Sequence, residues 1–124
     1  MGEDKPYTIS MENRGEYLYA IVGGLQTTPE IAMSYWREVI DKCEEFGISK
    51  VLMEHDFVET ISMPEVVEIM GPLSDLLRGR KIAFIDRFAH DDVSELGKKM
   101  ARSRDVMVQI FDDAARAEKW LLAN

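Results

Sequence analysis

The chain has 124 residues, 46% hydrophobic and 31% charged, with 23 acidic against 15 basic side chains and a net charge of -8. That is one domain's length, with apolar content enough for a core that needs neither disulfides nor a structural metal. The spread of apolar residues excludes disorder, no run approaches the ~20 apolar residues of a membrane span, and the acidic balance makes nucleic acid an unfavourable partner.

The single cysteine, Cys43, allows no internal disulfide, which suits a reducing compartment. No apolar stretch follows a basic patch at the start of the chain, so a cytoplasmic location is expected, with residues 1–5 as a disordered tail.

Tyr7–Met11 alternates as a short strand, Glu12-Asn13-Arg14-Gly15 reads as a turn, and Glu16–Val22 as a second strand ended by Gly23-Gly24. Thr27-Thr28-Pro29-Glu30 starts a helix. Its inward face is Trp36, Val39, Ile40, Cys43 and Phe46, and Gly47 stops it. Lys50–Met53 is a strand that extends towards Phe57 or Val58.

Ser62-Met63-Pro64-Glu65 carries the Ser-x-x-Glu capping box of a second helix, with Val66, Met70, Leu73 and Leu77 as its apolar stripe. Gly71-Pro72 falls inside the stripe, which predicts a kink or a restart. Lys81–Asp86 is a strand, and Asp91–Ser103 a helix with Val93, Leu96 and Met100 inward. Val106–Phe111 is the last strand, and Asp112 caps a final helix, Asp113–Leu122, with Ala114, Ala117, Trp120 and Leu121 inward. The order is β-β-α-β-α-β-α-β-α: a single α/β domain, mostly parallel, with an antiparallel edge strand from the first hairpin and about four helices.

This order and the residues of the second half resemble a known family. Lys81-Ile82-Ala83-Phe84-Ile85-Asp86, Met100-Ala101-Arg102-Ser103-Arg104, Val106–Asp112 and Ala117-Glu118-Lys119-Trp120-Leu121 look like the C-terminal half of small bacterial STAS-like proteins. Those are relatives of the sporulation anti-anti-sigma factor, also described as STAS/SEC14-like. Gly24 followed by Thr27-Thr28 resembles the family's earlier Gly-x-x-Thr segment. The resemblance implies a STAS-like fold and a non-enzymatic regulatory or protein-interaction module, working through the helix over 62–77. The alternative it implies is a carrier or sensor of a small apolar or lipid-like ligand. Regulatory members carry a phosphorylated Ser at the start of the second helix, after an Asp. Here the segment is Glu59-Thr60-Ile61-Ser62-Met63, with no Asp before Ser62, so the phosphoswitch does not carry over as a motif.

Thr60, Ser62 and Met63 are the candidate modification or interaction residues. A phosphate on Ser62 would meet the free N–H groups of a helix start, although simple capping explains the same serine. A second group collects past two adjacent strands: His55, Asp56 and Glu59, then Asp86 and His90, with Glu54, Asp91 and Asp92 beside them. Parallel strands bring such groups to one rim, a candidate ligand site. Two histidines with carboxylates are a metal-ligand set by type, but no His-x-x-x-His or Glu-x-x-His spacing is present, and a solvated acidic rim is the plainer reading. Neither a cofactor nor a catalytic residue is expected: there is no Gly-x-Ser-x-Gly, phosphate loop or dinucleotide motif, and Cys43 lies on a core stripe. The strands are apolar on both faces, which calls for helices on both sides; a homodimer interface or an apolar ligand would cover any area left open.

Overall fold

The computed structural model describes residues 5–123. The elements are β1 (Thr8–Asn13), β2 (Leu18–Gln26), α1 (Pro29–Phe46), β3 (Lys50–Glu59), α2 (Met63–Leu77), β4 (Lys81–Asp86), α3 (Asp91–Arg102), β5 (Met107–Phe111) and α4 (Ala114–Leu122). One sheet holds all five strands in the order β1-β2-β3-β4-β5; β1 runs antiparallel to β2 and the rest are parallel. The expected α/β order, with its antiparallel edge strand, is therefore present. Crossovers of one hand that always step the same way lay their helices on the same face. The larger core accordingly gathers α1, α2 and α3 residues against Leu18, Ala20, Val22, Val51, Met53, Phe57 and Ile82. Among the described residues the opposite face receives α4 alone, where Ala117 and Leu121 meet Tyr17, Leu52, Ala83 and Ile85.

Local chemistry sets the boundaries. Gly15 takes φ 86° in the hairpin, and its N–H donates to Asn13 Oδ1 at 2.8 Å. The Thr28 hydroxyl accepts from Ile31 N at 3.1 Å to cap α1, and Gly47, at φ 68°, closes it in the left-handed conformation. The Ser62–Glu65 capping box is formed in full.

Several boundaries depart from the sequence reading. Gly23-Gly24 does not end β2, which pairs with β3 as far as Gln26. The glycines stand where the next strand approaches too closely for a side chain: a Cβ on Gly23 would sit 2.5 Å from the Asp56 carbonyl oxygen. α2 runs through Pro72 without restarting, because proline removes one hydrogen bond while Ile69, Met70, Leu73 and Leu77 anchor both halves in the core. The cap of α4 is Asp113 rather than Asp112, its carboxylate accepting from Ala115 N at 2.7 Å. Phe46 is exposed at the last turn of α1 and Ala114 at the first turn of α4, since the inward stripe of each helix stops short of its end. Residues 1–4 of the expected tail lie outside the described residues; the exposed Lys5 Nζ pairs with Glu38 at 3.0 Å. Among the described residues no helix is long and apolar enough to cross a membrane.

Candidate functional site

Strand alternation divides the predicted rim in two. In β3, Val51, Met53, His55 and Phe57 face the helical layer, whereas Glu54 and Asp56 face the other side. Glu54 is buried there, accepting from the Tyr19 hydroxyl and pairing with Arg87 at 2.6 Å; Asp56 takes the other arm of Arg87 at 3.4 Å. Burial first, then the hydrogen bond to Glu54, pushes the Tyr19 phenol up to about 12. Glu59, Asp91 and Asp92 are solvated. Of the expected rim residues, only His55, Asp86 and His90 converge.

Their convergence follows from register. His55 pairs with Asp86 across β3 and β4, so both side chains point to the same face. The Asp86 carboxylate then organises the following turn, accepting from Phe88 N at 3.1 Å and His90 N at 3.2 Å. Ala89 takes φ 53° to complete that turn, a conformation that costs a non-glycine residue roughly 1 kcal/mol or more. His90 occupies the cap position of α3 but makes no capping bond. Instead its Nδ1 lies 2.7 Å from Asp86 Oδ2, and its Nε2–H donates to the Val58 carbonyl at 3.0 Å.

His55 is 3% exposed, with its ring among Phe57, Phe84 and Tyr35. Its Nδ1 points at Asp86 Oδ1 from 3.7 Å, beyond hydrogen-bond reach, and has no partner among the described residues. The three groups are not the solvated rim expected: the side chains of His55 and Asp86 are almost wholly inaccessible. Burial works to raise the Asp86 carboxyl, but the two imidazoles and the Phe88 N–H outweigh it and hold the group at about 2. Burial, then the Asp86 charge, drives the Tyr35 phenol upward. His55 and Asp86 form the polar end of a cavity of about 120 Å³ between the sheet and α1–α3, otherwise walled mainly by apolar groups such as Trp36, Met70, Leu73 and Phe84.

Ser62 lies at the start of α2, its hydroxyl accepting from Glu65 N at 3.3 Å, and Glu65 Oε1 takes the Ser62 N–H at 2.9 Å. Thr60 is half-buried and lines the cavity, while Met63 is exposed. Sequence reasoning missed Arg87, Tyr19 and Tyr35. Alternation in β2 and β3 would have placed Tyr19 with Glu54, but no local signal marks Arg87 as their partner. Cys43 is buried in the core as its helical spacing predicted, and burial raises its thiol.

No family model matches the chain, and no curated protein matches it.

Proposed function

We propose that this chain is a STAS-like, non-enzymatic regulatory module that binds a partner protein at the carboxyl end of its sheet, through the first turns of α2 and the neighbouring strand ends. The observation that carries this reading is the distribution of exposed apolar side chains. Five of the eight large ones exposed among the described residues, Leu25, Val58, Met63, Val67 and Phe88, belong to that end. The other three, Phe46, Met107 and Leu122, sit on separate elements at the opposite end. Leu25 and Val58 are neighbours across β2 and β3. They point to the face on which α4 lies, mainly against β3, β4 and β5. Apolar groups gathered at one end mark an interaction surface more often than scattered ones do.

The charges around this surface give the partner's chemistry. Glu30, Glu59, Glu68, Asp91 and Asp92 are exposed at the same end, while the nearby Arg87 is engaged by Glu54 and Asp56. An apolar segment flanked by basic residues complements such a surface. The carrier reading has weaker support: the apolar cavity holds only about 120 Å³, well below the ~300 Å³ of ordinary ligand pockets, and the larger groove of about 650 Å³ between α1 and α2 is open to solvent and carries Glu30, Arg37, Glu38, Asp41 and Glu68 among its lining residues.

Amide-shift mapping tests the proposal. The ¹⁵N-labelled protein is titrated with an amphipathic peptide of alternating leucine and lysine, and with its glutamate counterpart. The lysine peptide is expected to move amides of residues 24–26, 58–68 and 87–92, and the glutamate peptide none. Shifts centred on Met107, or shifts indifferent to peptide charge, would refute it.

A further inference from the structure

The geometry points to a binding site for a divalent transition metal of the Zn²⁺ class, formed by His55 Nδ1, the Asp86 carboxylate and His90 Nδ1. The ligand atoms of the three residues lie within 4.8 Å of one another. A four-coordinate ion with ~2.1 Å bonds holds its ligands about 3.4 Å apart, so small side-chain movements close the set. Two imidazoles and one carboxylate suit zinc or iron, and not the all-oxygen preference of Mg²⁺ or Ca²⁺.

The hydrogen-bond arithmetic supports a cation here. The Val58 carbonyl only accepts, so His90 Nε2 carries a proton. A neutral His90 then presents the lone pair of Nδ1, 2.7 Å from a carboxylate oxygen. Two lone pairs at that distance need positive charge: a second proton on His90 or a metal ion. A proton would satisfy His90 and Asp86 alone. It would leave His55 Nδ1, buried and without a partner, still aimed at the other carboxylate oxygen. A metal ion engages all three groups. The His90 Nε2–H···O=C bond to Val58 is also the outer contact by which metal-bound imidazoles are held in the correct tautomer. His55 and Asp86 both line the 120 Å³ cavity, so a fourth position would face a largely apolar space of a few water-sized molecules.

The site adjoins the proposed partner surface, sharing the Val58 strand end and the turn through His90 with it, but its test needs no partner. Zn²⁺ is titrated by calorimetry into untagged, chelator-treated protein, with Mg²⁺ as control and with His55→Ala, His90→Ala and the double variant. One equivalent of Zn²⁺ is expected to bind with proton release, and each single variant to weaken it at least ~10-fold. His55 and His90 are the only histidines of the chain, so imidazole ¹⁵N spectra of the unmodified protein report on the site even where a variant fails to fold. Zn²⁺ is expected to move the Nδ1 resonances of both rings. Absence of binding, binding retained by the double variant, or a spectrum in which only one ring or neither responds would overturn the site. An imidazolium at His90 indifferent to zinc would make the cluster a proton site instead.

Discussion

Replacing Gly23 by alanine tests the packing that brings β2 and β3 together beside His55. The new Cβ would lie 2.5 Å from the Asp56 carbonyl oxygen and 2.9 Å from the Asp56 Cβ. Real Cβ contacts essentially never fall below 3.0 Å, so the strands must part by roughly half an ångström in a close-packed interior. Overpacking of this kind costs about 1–3 kcal/mol. Losing glycine's freedom in the unfolded chain returns about 0.4–1 kcal/mol. The net expectation is a loss of about 1.5 kcal/mol, or ~6 °C in Tm at this chain length. Gly24→Ala is the control. Its Cβ would meet Phe57 Cε1 at 3.3 Å and the Pro6 carbonyl oxygen at 3.4 Å, contacts that relax by tenths of an ångström, so its stability should stay near that of the parent. Urea unfolding of the three proteins, with equal m-values, gives the comparison. A Gly23→Ala protein as stable as the parent, or a Gly24→Ala protein less stable than Gly23→Ala, would refute the close-approach argument.

Ser62→Ala removes both the hydroxyl cap and its reciprocal partnership with Glu65. Thermal unfolding should register about 1 kcal/mol of destabilisation, and Ser62→Asp, which can still cap, should lose much less; equal losses would show that the cap is not what holds the helix start. The tyrosines give a pH prediction. All four phenols, Tyr7, Tyr17, Tyr19 and Tyr35, lie above their usual value, burial being the largest cause in each case. The folded protein therefore keeps protons that the unfolded chain releases above pH 10. The stability from Tyr19 should be fully present below that pH and be lost between 10 and about 12. Ultraviolet titration of the native protein should find no phenol ionising near 10, and one that does would contradict the burial described.

Most element boundaries were legible in the sequence because they rest on local chemistry. Thr28 and Gly47 bracket α1, Ser62 and Glu65 open α2, and β4 covers Lys81–Asp86 as its apolar run suggests. The extension of β2 was not legible. Glycine marks both strand ends and close approaches, and only the neighbouring Asp56 distinguishes them. Pro72 does not make the helix restart for a related reason, since tertiary packing on both sides of it outweighs its local cost. The rim was half legible. Residue types identified His55, Asp86 and His90, but they did not separate them from Asp56 and Glu59, which alternation and exposure place elsewhere. Nor does a cap position foretell that the His90 ring turns away from its helix to meet Asp86 and Val58.

The claim that the carboxyl end of the sheet docks a basic, apolar segment of another protein is tested most directly by site-specific photo-crosslinking in cells. A photoreactive residue is placed at Val67 or, as control, at the equally exposed Met107. The account predicts a discrete adduct from position 67 and none from 107. The linked peptide, read by mass spectrometry, should be basic and apolar, and the adduct should disappear when Val58 is changed to Asp. An adduct with a second copy of this chain, an acidic linked segment, or equal yields from the two positions would contradict it.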